Sequence, residues 1–177
     1  IAAMRITAML LTAILLLAGL LGQTAIAQKP PSARDLAPGV FLVASRELRD
    51  PNFRESVVLL IHYDESGAMG LIINRPVKLP LEELLEELPE ARGNKDPAFE
   101  GGPVTPIGVW ALFRSTAKPP KTEEAMPGVF LISSERPMME ALKSGAKANT
   151  FRAYVGYSGW GARQLDREVD IGAWHIL

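Results

Sequence analysis

The stretch "SVVLLIHYDESGAMGLIIN", residues 56–74, constrains this chain more than any other, because two β-branched apolar runs flank a short segment of turn residues. Runs of this length bounded by Asp, Ser and Gly read as paired strands with "DESG" as the hairpin turn. A sheet must therefore organise the fold. "PGVFLVAS" at 38–45 reads as a buried strand after a Pro-Gly turn, and "PGVFLISS" at 127–134 repeats six of its eight positions. The flanks do not extend the match, so the pair reads as two equivalent core strands rather than a duplicated unit. "FEGGPV" at 99–104 is a glycine-proline turn feeding the strand "GVWALF" at 108–113. "FRAYVGY" alternates Phe151, Ala153, Val155 and Tyr157 on one face, a further strand pattern.

Helices are fewer. In "LPLEELLEELPE", Leu81, Leu84, Leu85 and Leu88 fall at i, i+3, i+4 and i+7, which predicts a short helix ended by Pro89, with a solvated glutamate row opposite. Ser134 is placed to cap a second helix over "ERPMMEALKSG", with Gly145 as its stop. "RSTAKPPKTEEAMPG" between them reads as a mobile surface connection.

At the N-terminus, Met4-Arg5 leads into an apolar run, with small residues at Ala25 and Ala27. This is the pattern of a secretory signal peptide over residues 1–27, cleaved after Ala27, and it predicts a periplasmic or secreted product with no transmembrane span left. Residues 28–38 read as a flexible leader, and 39–177 as one domain. The 19 basic residues less Arg5 leave 18 against 20 acidic ones, so the exported part lacks the basic surface that direct nucleic-acid binding needs. There is no cysteine, hence no disulfide framework, thiol nucleophile or cysteine metal site.

The stretch with most chemical character is "GYSGWGARQLDREV" at 156–169, expected as a strand-to-helix corner. Ser158 between glycines resembles a nucleophile elbow, but Trp160 stands where that motif needs its last glycine. Only His62 and His175 could serve a serine as base. The glycine spacing does not fit a dinucleotide loop, and His62-x-Asp64 is a lone pair of potential metal ligands. No catalytic set, metal site or cofactor is therefore assigned. The expected ligand surface joins Gly101, Gly102 and Pro103 to Ser158, Gly159, Trp160, Gly161 and Arg163, where converging amides and an arginine would suit a small anion. The competing account is packing, with the glycines permitting a sharp turn and Trp160 covering the core.

"ASRELRDPNFRESVV", "GAMGLIINRP", "GGPV" and "GYSGWGARQLDREV", followed by Trp174, together resemble the YqgE/AlgH family of bacterial proteins. The resemblance implies an α+β fold, a single compact domain whose mixed, strongly curved sheet partly closes like a barrel, with a few short helices. Members carry a label as transcriptional regulators, one linked to exopolysaccharide control, without an established biochemical activity. This chain departs from the family in its export signal and in Phe113, which stands where members commonly carry a histidine. The leading expectation is an exported, non-enzymatic module that binds a small anion or a protein partner. The alternatives are the regulatory label and a hydrolase using Ser158.

Overall fold

A computed structural model describes residues 32–147 and 149–177. The expected signal peptide and residues 28–31 of the leader lie outside them. The strands are β1 (Phe41–Ala44), β2 (Val57–Asp64), β3 (Gly67–Ile72), β4 (Pro76–Pro80), β5 (Pro97–Glu100), β6 (Val104–Arg114), β7 (Glu123–Met126), β8 (Val129–Ile132), β9 (Phe151–Gly161) and β10 (Trp174–Ile176). Three α-helices accompany them, α1 (Leu81–Leu84), α2 (Glu135–Lys143) and α3 (Gln164–Asp170), with 3-10 turns at Ala33–Asp35 and Pro89–Ala91. Among the described residues no helix is long and apolar enough to cross a membrane. The fold is α+β, as the resemblance implies.

The main ladder runs β10-β1-β2-β3-β9-β6-β8-β7, while β5 lies parallel to β9 and pairs β4 on its other edge. All other pairings are antiparallel. No ladder joins β10 or β1 to β7, so the sheet is open, yet its two ends pack together. Leu59 and Ile61 of β2 share a core cluster with Leu112 of β6, Ala125 of β7, Leu131 of β8 and Tyr154 of β9. That cluster contains no helical residue. The sheet therefore curls over its own apolar face, as a barrel does, and stops short of closure.

The opposite face is covered by helices in two places. Leu81, Leu85 and Leu88 join Met138, Ala141 and Leu142 of α2 over Ala111, Ile132, Phe151 and Ala153. Leu165 and Val169 of α3 join Leu42, Leu60, Ala68, Trp160 and Trp174. Leu36 belongs to this second core, so the described part of the expected leader packs on the domain.

The 56–74 hairpin forms as read, with Asp64 opposite Gly67 and a bulge at Ile61. The leucine face of 81–88 is buried, but the helix is only Leu81–Leu84, because Leu85 leaves helical geometry at φ −111 and ψ 40. The connection 114–128 holds the short edge strand β7. In α2, Ser134 is the N-cap residue, although its side chain makes no capping bond, and Gly145 follows the helix at φ 82.

The two PGVFL strands are not structural copies. Phe41 faces the curled core and Leu42 the opposite one, whereas in β8 it is Leu131, the counterpart of Leu42, that faces the curled core. A one-residue change of facing inverts every side chain of a strand, so only the strand sequence recurs.

Candidate functional site

Strand β9 positions the expected site, and one residue sets its geometry. Phe151 and Ala153 face the helical core while Tyr154 faces the curled one, as alternation requires. Continued alternation would put Tyr157 with Phe151. Gly156 instead takes φ 71, and Tyr157 joins Tyr154 on the curled face. On the partner strand, register slips between Val104 and Val109, so residues 105–108 bulge out of β6.

Two glycine motifs separated by more than 50 residues in sequence meet here. A Cβ on Gly102 would lie 2.4 Å from the carbonyl of Tyr157, and one on Gly156 would lie 2.3 Å from the Gly102 oxygen. Gly101 donates its N–H to Val155 and accepts from Ile72 N–H at 2.9 Å and from the Ser158 hydroxyl at 3.1 Å. Side chains are excluded because the "GGPV" turn lies directly on β9. Ser158 is fully buried with its hydroxyl committed to that carbonyl.

The expected corner is strand as far as Gly161, held by β3 through the pairs Gly67↔Gly161, Ala68↔Trp160, Met69↔Gly159 and Gly70↔Ser158. The Gly161 N–H donates to Gln164 Oε1 at 3.1 Å. Arg163 caps α3 with a left-handed backbone, φ 56, and is exposed beside Tyr63. Burial and a hydrogen bond to Asp166 hold the Tyr63 phenol above its ordinary pKa. Trp160 is buried, stacked on Phe53 with ring centroids 5.7 Å apart, and its indole donates to Glu168 Oε2 at 2.9 Å. Thus Gly101, Gly102 and Ser158 come together as packing, Pro103 is exposed at the turn, and Gly161 and Arg163 stand apart at the head of α3.

Gly159 and Trp160 do line an open groove of about 670 Å³ between the β2–β3 hairpin and the bulged start of β6. Its walls include Met69, Thr105, Trp110 and Tyr157, with His62 and Ser66 at one rim. Trp110 and Tyr157 meet edge to face at 5.7 Å. Trp110 Nε1 is buried and has no hydrogen-bond partner among the described residues. Thr105 holds φ 46, a left-handed backbone that a β-branched residue adopts only under strain of about 1–3 kcal/mol. Two residues on, Ile107 is 90% exposed. Strain and exposed apolar surface thus coincide at this bulge. The sequence pointed to Gly159 and Trp160, but not to Thr105 or Trp110, whose placement depends on the register slip.

The rim shows what chemistry is in reach. Asp64 pairs with His62 Nε2 at 2.7 Å and accepts from the Ser66 hydroxyl and N–H, and these bonds hold its pKa down at about 2. The carboxylate sits between serine and histidine, whereas nucleophile activation needs the imidazole in the middle. Among the described residues no cluster of three or more His, Asp or Glu could hold a metal ion.

The AlgH-like family model, a domain of unknown function, matches residues 41–177. A UPF0301 protein of Anaeromyxobacter sp. (strain Fw109-5) is 38% identical, covering 81% of this chain and 77% of its own length. A UPF0301 protein of Myxococcus xanthus is 40% identical over 80% of this chain and 77% of its own. The solution structure of the AlgH protein from Pseudomonas aeruginosa superposes with a TM-score of 0.65 at 30% identity, covering 85% of this chain and 79% of that one. A Corynebacterium diphtheriae protein of known crystal structure shares the fold, with a TM-score of 0.69 at 18% identity over 85% of this chain and 78% of that one.

Proposed function

The chain belongs to the AlgH-like family, and from that premise we propose that it is an exported, non-enzymatic binding module whose groove beside Thr105 receives an apolar segment of a partner protein. The observation that carries this reading is the bulge at 105–108, where a strained Thr105 and the Trp110–Tyr157 pair line one open groove and Ile107, two residues beyond Thr105, is exposed. Strained non-glycine backbone persists where function demands it, and exposed apolar surface around aromatic anchors is the make-up of a protein-docking site. Among the described residues the groove's lining holds no lysine or arginine, which favours a protein segment over a small anion there. Export rests on Arg5, the apolar run and Ala25-x-Ala27.

The regulatory label gains nothing specific from the groove. The hydrolase alternative would need Ser158 to leave the bond it makes to Gly101.

A displayed library of extended peptides tests the docking reading. Enriched peptides should lose at least tenfold in affinity with Met69→Glu, which puts a charge on the groove wall. No enrichment, or binding indifferent to that change, would overturn it. Fractionation with N-terminal sequencing should find the product outside the cytoplasm and starting at Gln28; a cytoplasmic, unprocessed chain would refute export.

A further inference from the structure

The unclosed seam of the sheet holds a second cavity, set further along β6 and β9 from the groove and independent of the docking reading. Its apolar walls come from both ends of the sheet, Phe41 and Leu59 on one side, Met126 and Val129 on the other. Leu112 and Arg152 are opposite each other in the β6–β9 ladder. Alternation therefore puts Leu112, Arg114, Arg152 and Tyr154 on the same face, and all four line the cavity.

The charged groups here are both cations, with Asn149 and Thr150 as neutral polar neighbours. Arg114 and Arg152 are exposed at the rim, and among the described residues neither is in an ion pair. Arg152 instead lies over the Phe99 ring, 5.0 Å from its centroid. Among the described residues no aspartate or glutamate lines the cavity. Tyr154 is 1% exposed, and the Arg152 guanidinium hydrogen-bonds to its hydroxyl oxygen, so these two groups already sit together at the cavity. Burial pushes the phenol's pKa up to about 12, against the opposing charge and hydrogen bond of Arg152. Two guanidiniums and a neutral O–H donor over an apolar floor are what a carboxylate on a hydrocarbon body requires.

We propose that this seam cavity binds a small organic monocarboxylate, its carboxylate held by Arg114, Arg152 and the Tyr154 hydroxyl, and its apolar body between Phe41, Leu59 and Met126. Size limits the ligand. The cavity is about 190 Å³, below the roughly 300–1,000 Å³ of drug-sized sites, so benzoate and hexanoate are probes of the right size.

The test is titration of the full chain by calorimetry and by NMR of the Arg side chains, with benzoate and hexanoate as probes and benzamide and inorganic phosphate as controls. Benzoate or hexanoate should bind with millimolar or better affinity, shifting the Arg114 and Arg152 signals. Arg152→Gln, at an exposed position, should weaken binding at least tenfold, and Tyr154→Phe by threefold or more. Benzamide should not bind, and phosphate should bind more weakly than either carboxylate. Absence of carboxylate binding up to 10 mM, equal binding of benzamide, or full affinity in Arg152→Gln would each overturn the assignment. Phosphate binding as tightly as benzoate would overturn the hydrocarbon part of it. None of these outcomes bears on the groove, because Met69 does not line this cavity.

Discussion

Trp160 and Trp174 donate their indole N–H groups to the same oxygen, Oε2 of Glu168, at 2.9 and 2.8 Å. The second carboxylate oxygen accepts from Gln164 Nε2 at 2.9 Å. Both rings also touch Phe53, and they meet each other edge to face at 5.8 Å. Glu168 thereby ties the end of β9 and the start of β10 to α3. Trp160 and Trp174 are thus pillars of the core, and Trp160 also lines the groove.

Glu168→Ala would leave two buried indole donors without their acceptor. At about 1.5–3 kcal/mol for each bond to a charged group, reduced by non-additivity, the variant should lose about 3 kcal/mol. Glu168→Gln keeps an acceptor oxygen and should lose about half as much. Urea unfolding followed by tryptophan fluorescence measures both; a loss below about 1 kcal/mol for the alanine variant would mean that the pair does not depend on the carboxylate.

The crossing of "GGPV" over β9 predicts a steep ranking among glycine variants. Gly156→Ala meets backbone 2.3 Å away and must also adopt φ 71. Gly93 has φ 77 with nothing within 4 Å of its added Cβ. Gly93→Ala should therefore cost only the left-handed penalty of about 1–2 kcal/mol, while Gly156→Ala should fail to fold or lose several times as much. Similar melting temperatures for the two would mean that the strands can separate to admit a side chain.

Ser158 makes a packing prediction against a catalytic one. Ser158→Ala removes one neutral hydrogen bond to Gly101 and should cost about 1 kcal/mol. Mass spectrometry after treatment with a fluorophosphonate should show no adduct at this residue. A labelled Ser158 would show that the hydroxyl is reachable and would restore the hydrolase alternative.

Tyr154 should titrate well above an ordinary tyrosine. Its folded pKa, about 12, stands above the ordinary 10.0 because burial penalises the phenolate. The unfolded chain gives up this proton first, so the stability it contributes is complete below about pH 10 and is lost as pH climbs toward 12. Ultraviolet titration should therefore show a late tyrosine step that Tyr154→Phe abolishes. If that step is absent, the cavity floor is wet.

Most of the sheet was legible because its signals are local: the hairpin at 56–74, the PGVFL runs and the leucine face at 81–88 all lie where the sequence put them. The site was less legible because it depends on events between strands. Nothing in "FRAYVGY" shows that Gly156 will rotate Tyr157 onto the other face, nor that β3 will hold residues 158–161 in extended form. The glycines of "GGPV" and "GYSGWG" were visible as unusual, but their purpose, mutual backbone contact, becomes evident only when the two segments cross.

Thr105 separates stability from binding. Its φ of 46 costs a β-branched residue energy that glycine would not pay, so Thr105→Gly should raise stability by about 1 kcal/mol net of glycine's greater unfolded entropy. That corresponds to a melting temperature higher by roughly 2–6 °C for a domain of this size. The same change strips a side chain from the groove wall and loosens the bulge that presents Ile107. Peptides selected against the groove should then bind several-fold more weakly to a protein that is more stable, a trade-off expected where strain serves function. If Thr105→Gly lowers stability, the left-handed backbone is not strained. If it raises stability and leaves peptide affinity intact, the strain belongs to the fold alone and the groove must be sought elsewhere.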